Sequence, residues 1–91
     1  MNRVRAHTPP QPASAREDTM GAVREQFAAN LLRLRKHAGI SQEALASSCD
    51  LHRSEVSLLE RCKRAPRLET IVVLARGLGL TCAGELLEGI G

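Results

Sequence analysis

The stretch Ser41 to Arg67, SQEALASSCDLHRSEVSLLERCKRAPR, decides the fold of this 91-residue chain. Ser41 stands where a helix begins, because its hydroxyl can accept a hydrogen bond from a free backbone N–H one turn further on. Ala44, Leu45, Ser48 and Cys49 then recur at helical spacing and predict one small, apolar face. The pattern breaks at Cys49-Asp50-Leu51, and Asp50 tolerates the left-handed backbone that a sharp corner needs. A second helix follows from Arg53 to Arg61, with Val56 and Leu59 facing inward. Its other face offers His52, Arg53, Ser54, Ser57 and Leu58, and a basic loop follows with Lys63, Arg64 and Arg67.

Two short helices at a tight turn form a helix-turn-helix by pattern. Marks outside that core extend the likeness: Arg35, Ser41-Gln42-Glu43-x-Leu45-Ala46, Val56, Leu59-Glu60-Arg61, Lys63-Arg64-x-Pro66, and Leu74-Ala75-x-x-Leu78-Gly79. With these marks the segment from Phe27 to Leu87 resembles the lambda-repressor/Cro-like (Xre-type) family of transcriptional regulators. The resemblance implies an all-α, compact five-helix domain with the helix-turn-helix as helices 2 and 3. It implies a sequence-specific DNA-binding regulator, a repressor or small switch protein, that reads a pseudo-palindromic operator through the major groove. It also implies a homodimer, with recognition helices about 34 Å apart.

Carried over position by position, the resemblance makes Arg53, Ser54, Ser57 and Leu58 base readers. Arg53 is the sharpest of these, since a guanidinium can bond guanine O6 and N7 together for about 1–3 kcal/mol of discrimination. A plain phosphate contact is its rival role. Ser54 and Ser57 are short enough for close approach or water-mediated contacts. Leu58 suits a thymine methyl, or is an exposed residue without a role. Gln42 and His52 fall at phosphate-contacting positions, against the alternative of ordinary polar surface. Lys63, Arg64 and Arg67 are phosphate clamps that add salt dependence without reading sequence, and Arg61 lies beside them. Glu55 faces outward in this scheme and would repel phosphate if it pointed at the DNA backbone, which counts against a generic non-specific binder. Arg35 and Glu60 form a structural ion pair; the residues agree, because Glu60 follows Leu59 on the inner side and a buried carboxylate requires a partner. Three departures stand out. Asp50 and Cys62 occupy turns where relatives favour glycine, and the left-handed geometry costs a side chain at Cys62 about 1–2 kcal/mol. The spacing from Leu80 to Leu86 is one residue longer than usual.

Around this centre, residues 1–20 read as a disordered tail: Pro9, Pro10 and Pro12, no apolar period, and Arg3 and Arg5 available to a minor groove. Residues 21–91 form one domain. Helix one is predicted over Ala22 to His37, with Val23, Phe27, Leu31, Leu34 and Ala38 as its inward stripe and Gly39 as its C-cap. A fourth helix over Leu68 to Leu78 buries Leu68, Ile71, Val72, Leu74, Ala75 and Leu78. Thr81 caps a fifth reaching Glu88. Exposed Leu80, Leu86, Leu87 and Ile90 are the candidates for a two-fold contact, with closure of the monomer core as their other role.

Net charge is +3, but it is unevenly spread. His52 to Arg67 holds five basic residues against two acidic ones, whereas Leu68 to Gly91 holds one against three. The recognition end therefore suits a polyanion such as double-stranded DNA, and the other end does not. Cys49, Cys62 and Cys82 show no zinc spacing, so no metal or other cofactor is expected, and their odd number suggests reduced thiols in the cytoplasm. No apolar run reaches membrane-spanning length. His7, His37 and His52 are scattered and no phosphate-cradling loop exists, so an enzyme is not expected. The competing reading is a module that binds a protein partner, an antitoxin or antiactivator on the same fold, with Leu32 and Leu58 on the partner surface.

Overall fold

In the computed structural model, which describes residues 13–90 and side chains from 19 onward, the chain runs through four α-helices and a terminal 3-10 helix. These are α1 (Ala13–Ala38), α2 (Gln42–Ser48), α3 (Arg53–Glu60), α4 (Leu68–Gly77) and the 3-10 helix Ala83–Leu87. No strand occurs among the described residues. Among the described residues no helix is long and apolar enough to cross a membrane. Ser41 caps α2 as its position predicts: its Oγ accepts from the Ala44 N–H at 3.0 Å.

The ends of the molecule depart from the sequence expectation. α1 begins at Ala13 rather than Ala22. The run from Ala13 to Met20 contains neither Gly nor Pro and includes good helix formers, but it announces itself by no apolar period. The tail before Ala13, with Arg3 and Arg5, lies outside the described residues. The predicted fifth α-helix is a 3-10 helix of five residues, so the five-helix count becomes four α-helices and one 3-10 turn. Gly84 weakens α-helix there, and the short segment is held by its ends. Cys82, not Thr81, is its N-cap, and Glu85 Oε2 accepts the backbone N–H groups of both Thr81 (2.9 Å) and Cys82 (3.4 Å).

The core is aliphatic around one ring: Phe27 and Leu31 of α1, Leu45 and Ala46 of α2, Val56 and Leu59 of α3, Ile71, Leu74 and Ala75 of α4, and Leu86. In α2 the buried face is Leu45 and Ala46, with Ala44 and Ser48 exposed. Val23 and Ala38 of the predicted α1 stripe are also exposed. Leu68, predicted buried, is 74% exposed at the first turn of α4, while Leu86 is wholly buried. Leu80 and Ile90 pack against the core, so of the four apolar residues offered for a two-fold contact only Leu87 is left exposed.

All four α-helices close by the same device. One residue just past each helix turns left-handed, and the next N–H reaches back five residues: Ile40 to Arg35, Leu51 to Ala46, Lys63 to Leu58 and Leu80 to Ala75. Gly39 and Gly79 serve at two of these turns (φ +73° each); Asp50 (φ +57°) and Cys62 (φ +60°) serve at the others. A close approach fixes Gly77: a Cβ there would stand 2.6 Å from Cys49 Sγ and 3.2 Å from Leu45 Cδ1, so its absence lets α2 and α4 touch. Cys49 Sγ donates to the Val73 carbonyl at 3.2 Å, and burial pushes its thiol pKa up. Asn30, 2% exposed, stitches the C-terminal segment to α1. Its amide donates to the carbonyls of Leu86 (2.9 Å) and Glu88 (2.8 Å), and its oxygen accepts from Gln26 (3.0 Å).

Candidate nucleic-acid interface

Helix α3 carries the predicted readers, and its beginning is open to solvent. His52 is its N-cap with extended backbone (φ −76°, ψ 145°) and makes no side-chain cap bond. His52, Arg53 and Ser54 are all exposed at this first turn, while Ser57 and Leu58, one turn on, are half-buried. The Ser57 hydroxyl accepts from Arg61 Nε at 3.2 Å, leaving its own proton to donate. Lys63, Arg64 and Arg67 are exposed on the loop that follows. The structure thus brings the predicted base-reading and phosphate-contacting residues of α3 onto one helix and its adjoining loop.

What aims that helix is a joint at its other end, at Glu60. Arg35 of α1 grips Glu60 of α3 as a fork, Nε to Oε2 at 2.5 Å and Nη2 to Oε1 at 3.0 Å, with side chains only 12% and 4% exposed. Arg35 Nη1 also donates to the Ile40 carbonyl at 2.8 Å, in the corner between α1 and α2. The hydrogen-bonded Glu60 carboxylate holds the Arg35 guanidinium above its ordinary pKa, against the opposing effect of burial. The pair is a fixed strut between α1 and α3.

Gln42, assigned to phosphate, joins this strut. It is half-buried, and its Nε2 donates to Glu60 Oε1 at 2.9 Å, tying the start of α2 to the end of α3. No spacing rule announces this contact, because the partners are 18 residues apart. An amide nitrogen carries two hydrogens, so one remains for another acceptor. Glu55 also differs from expectation. It is half-buried rather than outward-facing, and its Oε1 accepts from Arg64 Nη1 at 2.5 Å. Among the described residues no three His, Cys, Asp or Glu side chains gather as metal ligands.

An exposed helix start flanked by cations, on a helix fixed by a buried ion pair, is an arrangement for presenting side chains to a polyanionic groove. Comparison with known proteins agrees. The family model described as helix-turn-helix matches residues 31–84. Among solved structures, the chain is similar to the hypothetical transcription factor NHTF from Neisseria, with 38% identity and TM-score 0.68 over 71% of this chain and 74% of that one. It is equally similar to the restriction-modification controller protein C.AhdI from Aeromonas hydrophila, with 38% identity and TM-score 0.68 over 71% of this chain and 97% of that one. The clp gene regulator ClgR from C. glutamicum shares 25% identity and TM-score 0.66 over 89% and 92% of the two chains. No curated protein matches. With more than half its length matched, the chain belongs to the lambda-repressor-like (Xre-type) helix-turn-helix family of DNA-binding transcriptional regulators.

Proposed function

We propose that the protein is a sequence-specific regulator, a repressor or small switch, that binds a pseudo-palindromic operator as a homodimer, with residues 21–91 as its DNA-binding domain. The observation that carries this reading is the uncapped, solvent-exposed first turn of α3 bearing Arg53 and Ser54. In it Arg53, Ser54, Ser57 and Leu58 meet base edges, with Arg53 on guanine. His52, Lys63, Arg64 and Arg67 hold phosphates, and Gln42 uses its second amide hydrogen for the same purpose. Arg35 and Glu60 keep the helix at its angle. The neighbouring controller protein and gene regulator favour gene control over a purely protein-binding module.

The two-fold contact in this reading uses the apolar surface that remains outside the core. Met20, Val23 and Leu87 are exposed and line one groove, floored by Phe27, Ile71 and Ile90. Selection of binding sites from random duplex DNA tests the proposal. The expected product is an inverted repeat whose half-site centres lie about 34 Å, one helical turn, apart. Recovery of a single unrepeated motif contradicts the dimer, and no enrichment at all contradicts sequence reading.

A further inference from the structure

Glu55 sits on the DNA-reading helix among cations, where a carboxylate is expected to repel phosphate. Its surroundings assign it another role. The left-handed turn at Cys62 reverses the chain after α3, and the Lys63 N–H closes it onto the Leu58 carbonyl at 2.8 Å. That reversal carries Arg64 back beside α3, where Nη1 donates to Glu55 Oε1 at 2.5 Å. The Glu55 side chain is 24% exposed and the Arg64 side chain 53%, so the pair is sheltered at the carboxylate and open at the guanidinium. Both line a cleft with Leu51, Ala65, Arg67 and Thr70, which places Arg67 on the same rim.

We infer that Glu55 is a positioning residue for DNA binding: it holds Arg64 in place at the edge of the recognition helix so that the free side of the guanidinium meets a phosphate. A guanidinium has five N–H donors in a planar fork, and the carboxylate engages only Nη1. The Nε and Nη2 groups have no other partner among the described residues, so one guanidinium bridges carboxylate and phosphate. A long side chain that is already oriented loses less freedom on binding than a loose one. The inference deepens the proposed function and rests on its assignment of Arg64 to a phosphate.

The sign of one substitution separates this role from plain repulsion. Full-length wild type, Glu55→Gln, Glu55→Asp, Arg64→Ala and the Glu55→Gln/Arg64→Ala pair are titrated with the selected duplex over a range of salt, with thermal unfolding of each as the measure of folding. Glu55→Gln removes a negative charge beside DNA, yet binding is expected to weaken by about two- to fivefold, the scale of a partly exposed ion pair. The slope of log affinity against log salt is expected to shrink by up to about 0.9, one phosphate contact. Glu55→Asp keeps the charge but shortens the reach, and it weakens binding as well. In the Arg64→Ala background Glu55→Gln weakens nothing. Tighter binding by Glu55→Gln, or unchanged binding by Glu55→Asp, overturns the inference while Arg64 remains a clamp. An Arg64→Ala variant with unchanged affinity and slope removes the phosphate contact itself, and the positioning role with it.

Discussion

Cys62 has a left-handed backbone at φ +60°, and it is also the hinge from which the basic loop leaves α3. A side chain in this region costs about 1–2 kcal/mol, of which glycine's greater freedom in the unfolded chain returns about 0.4–1. Cys62→Gly is therefore expected to raise stability by up to about 1 kcal/mol in urea unfolding, with the helix content unchanged. A loss of stability would mean that the half-buried thiol contributes packing that outweighs the strain. The cost at Cys62 was legible through the family resemblance, which implies a glycine at that turn. The roles of Gln42, Glu55 and Asn30 were not. Their partners are fixed by how the helices dock, at separations of 18, 9 and 56 residues, and no periodicity encodes such a distance.

At the scale of elements, α2 and α3 were legible because their signals are local: a serine N-cap, an aspartate at the corner, and inward residues one turn apart. Burial at the ends was less legible. Leu68 and Leu86 are chemically alike, yet one is exposed and the other is a core residue, and the burial of Leu86 comes from the docking of the last segment on α1 and α4. What fixes the angle of α3 is the joint of Arg35, Gln42 and Glu60. Removing one partner of a buried pair leaves the other without compensation and typically costs about 3–5 kcal/mol. Glu60→Ala is thus expected to lower stability by about 3 kcal/mol, a large share of what a small domain has. The comparison is Glu88→Ala, whose pair with Arg33 is 3.6 Å apart and mostly exposed, and which is expected to move stability by about 0.5 kcal/mol or less. Equal costs in urea unfolding would show that the joint does not hold the helix.

At the scale of the whole molecule, the cationic loop after α3 borders an apolar groove. The cations gather on α3 and the loop after it, while the last segment is acidic. The exposed apolar residues Met20, Val23 and Leu87 share a groove formed by α1, the loop after α3, α4 and the terminal turn. This polarity was visible as uneven charge along the sequence, but the groove was not, because α1 starts nine residues earlier than its apolar period indicates. A molecule with one cationic reading edge and one apolar groove suits paired attachment to DNA. The exposed start of α3 is expected to read sequence while the loop supplies charge. This is tested most directly by titrating wild type and Arg53→Ala, over a range of salt, on DNA from upstream of the protein's own gene and on a scrambled duplex. Wild type is expected to prefer the upstream DNA and to lose affinity steeply with salt. Arg53→Ala is expected to lose about 1–3 kcal/mol of that preference with most of the salt slope retained. Absence of binding to either duplex at low salt, or an Arg53→Ala variant that discriminates as well as wild type, would contradict it.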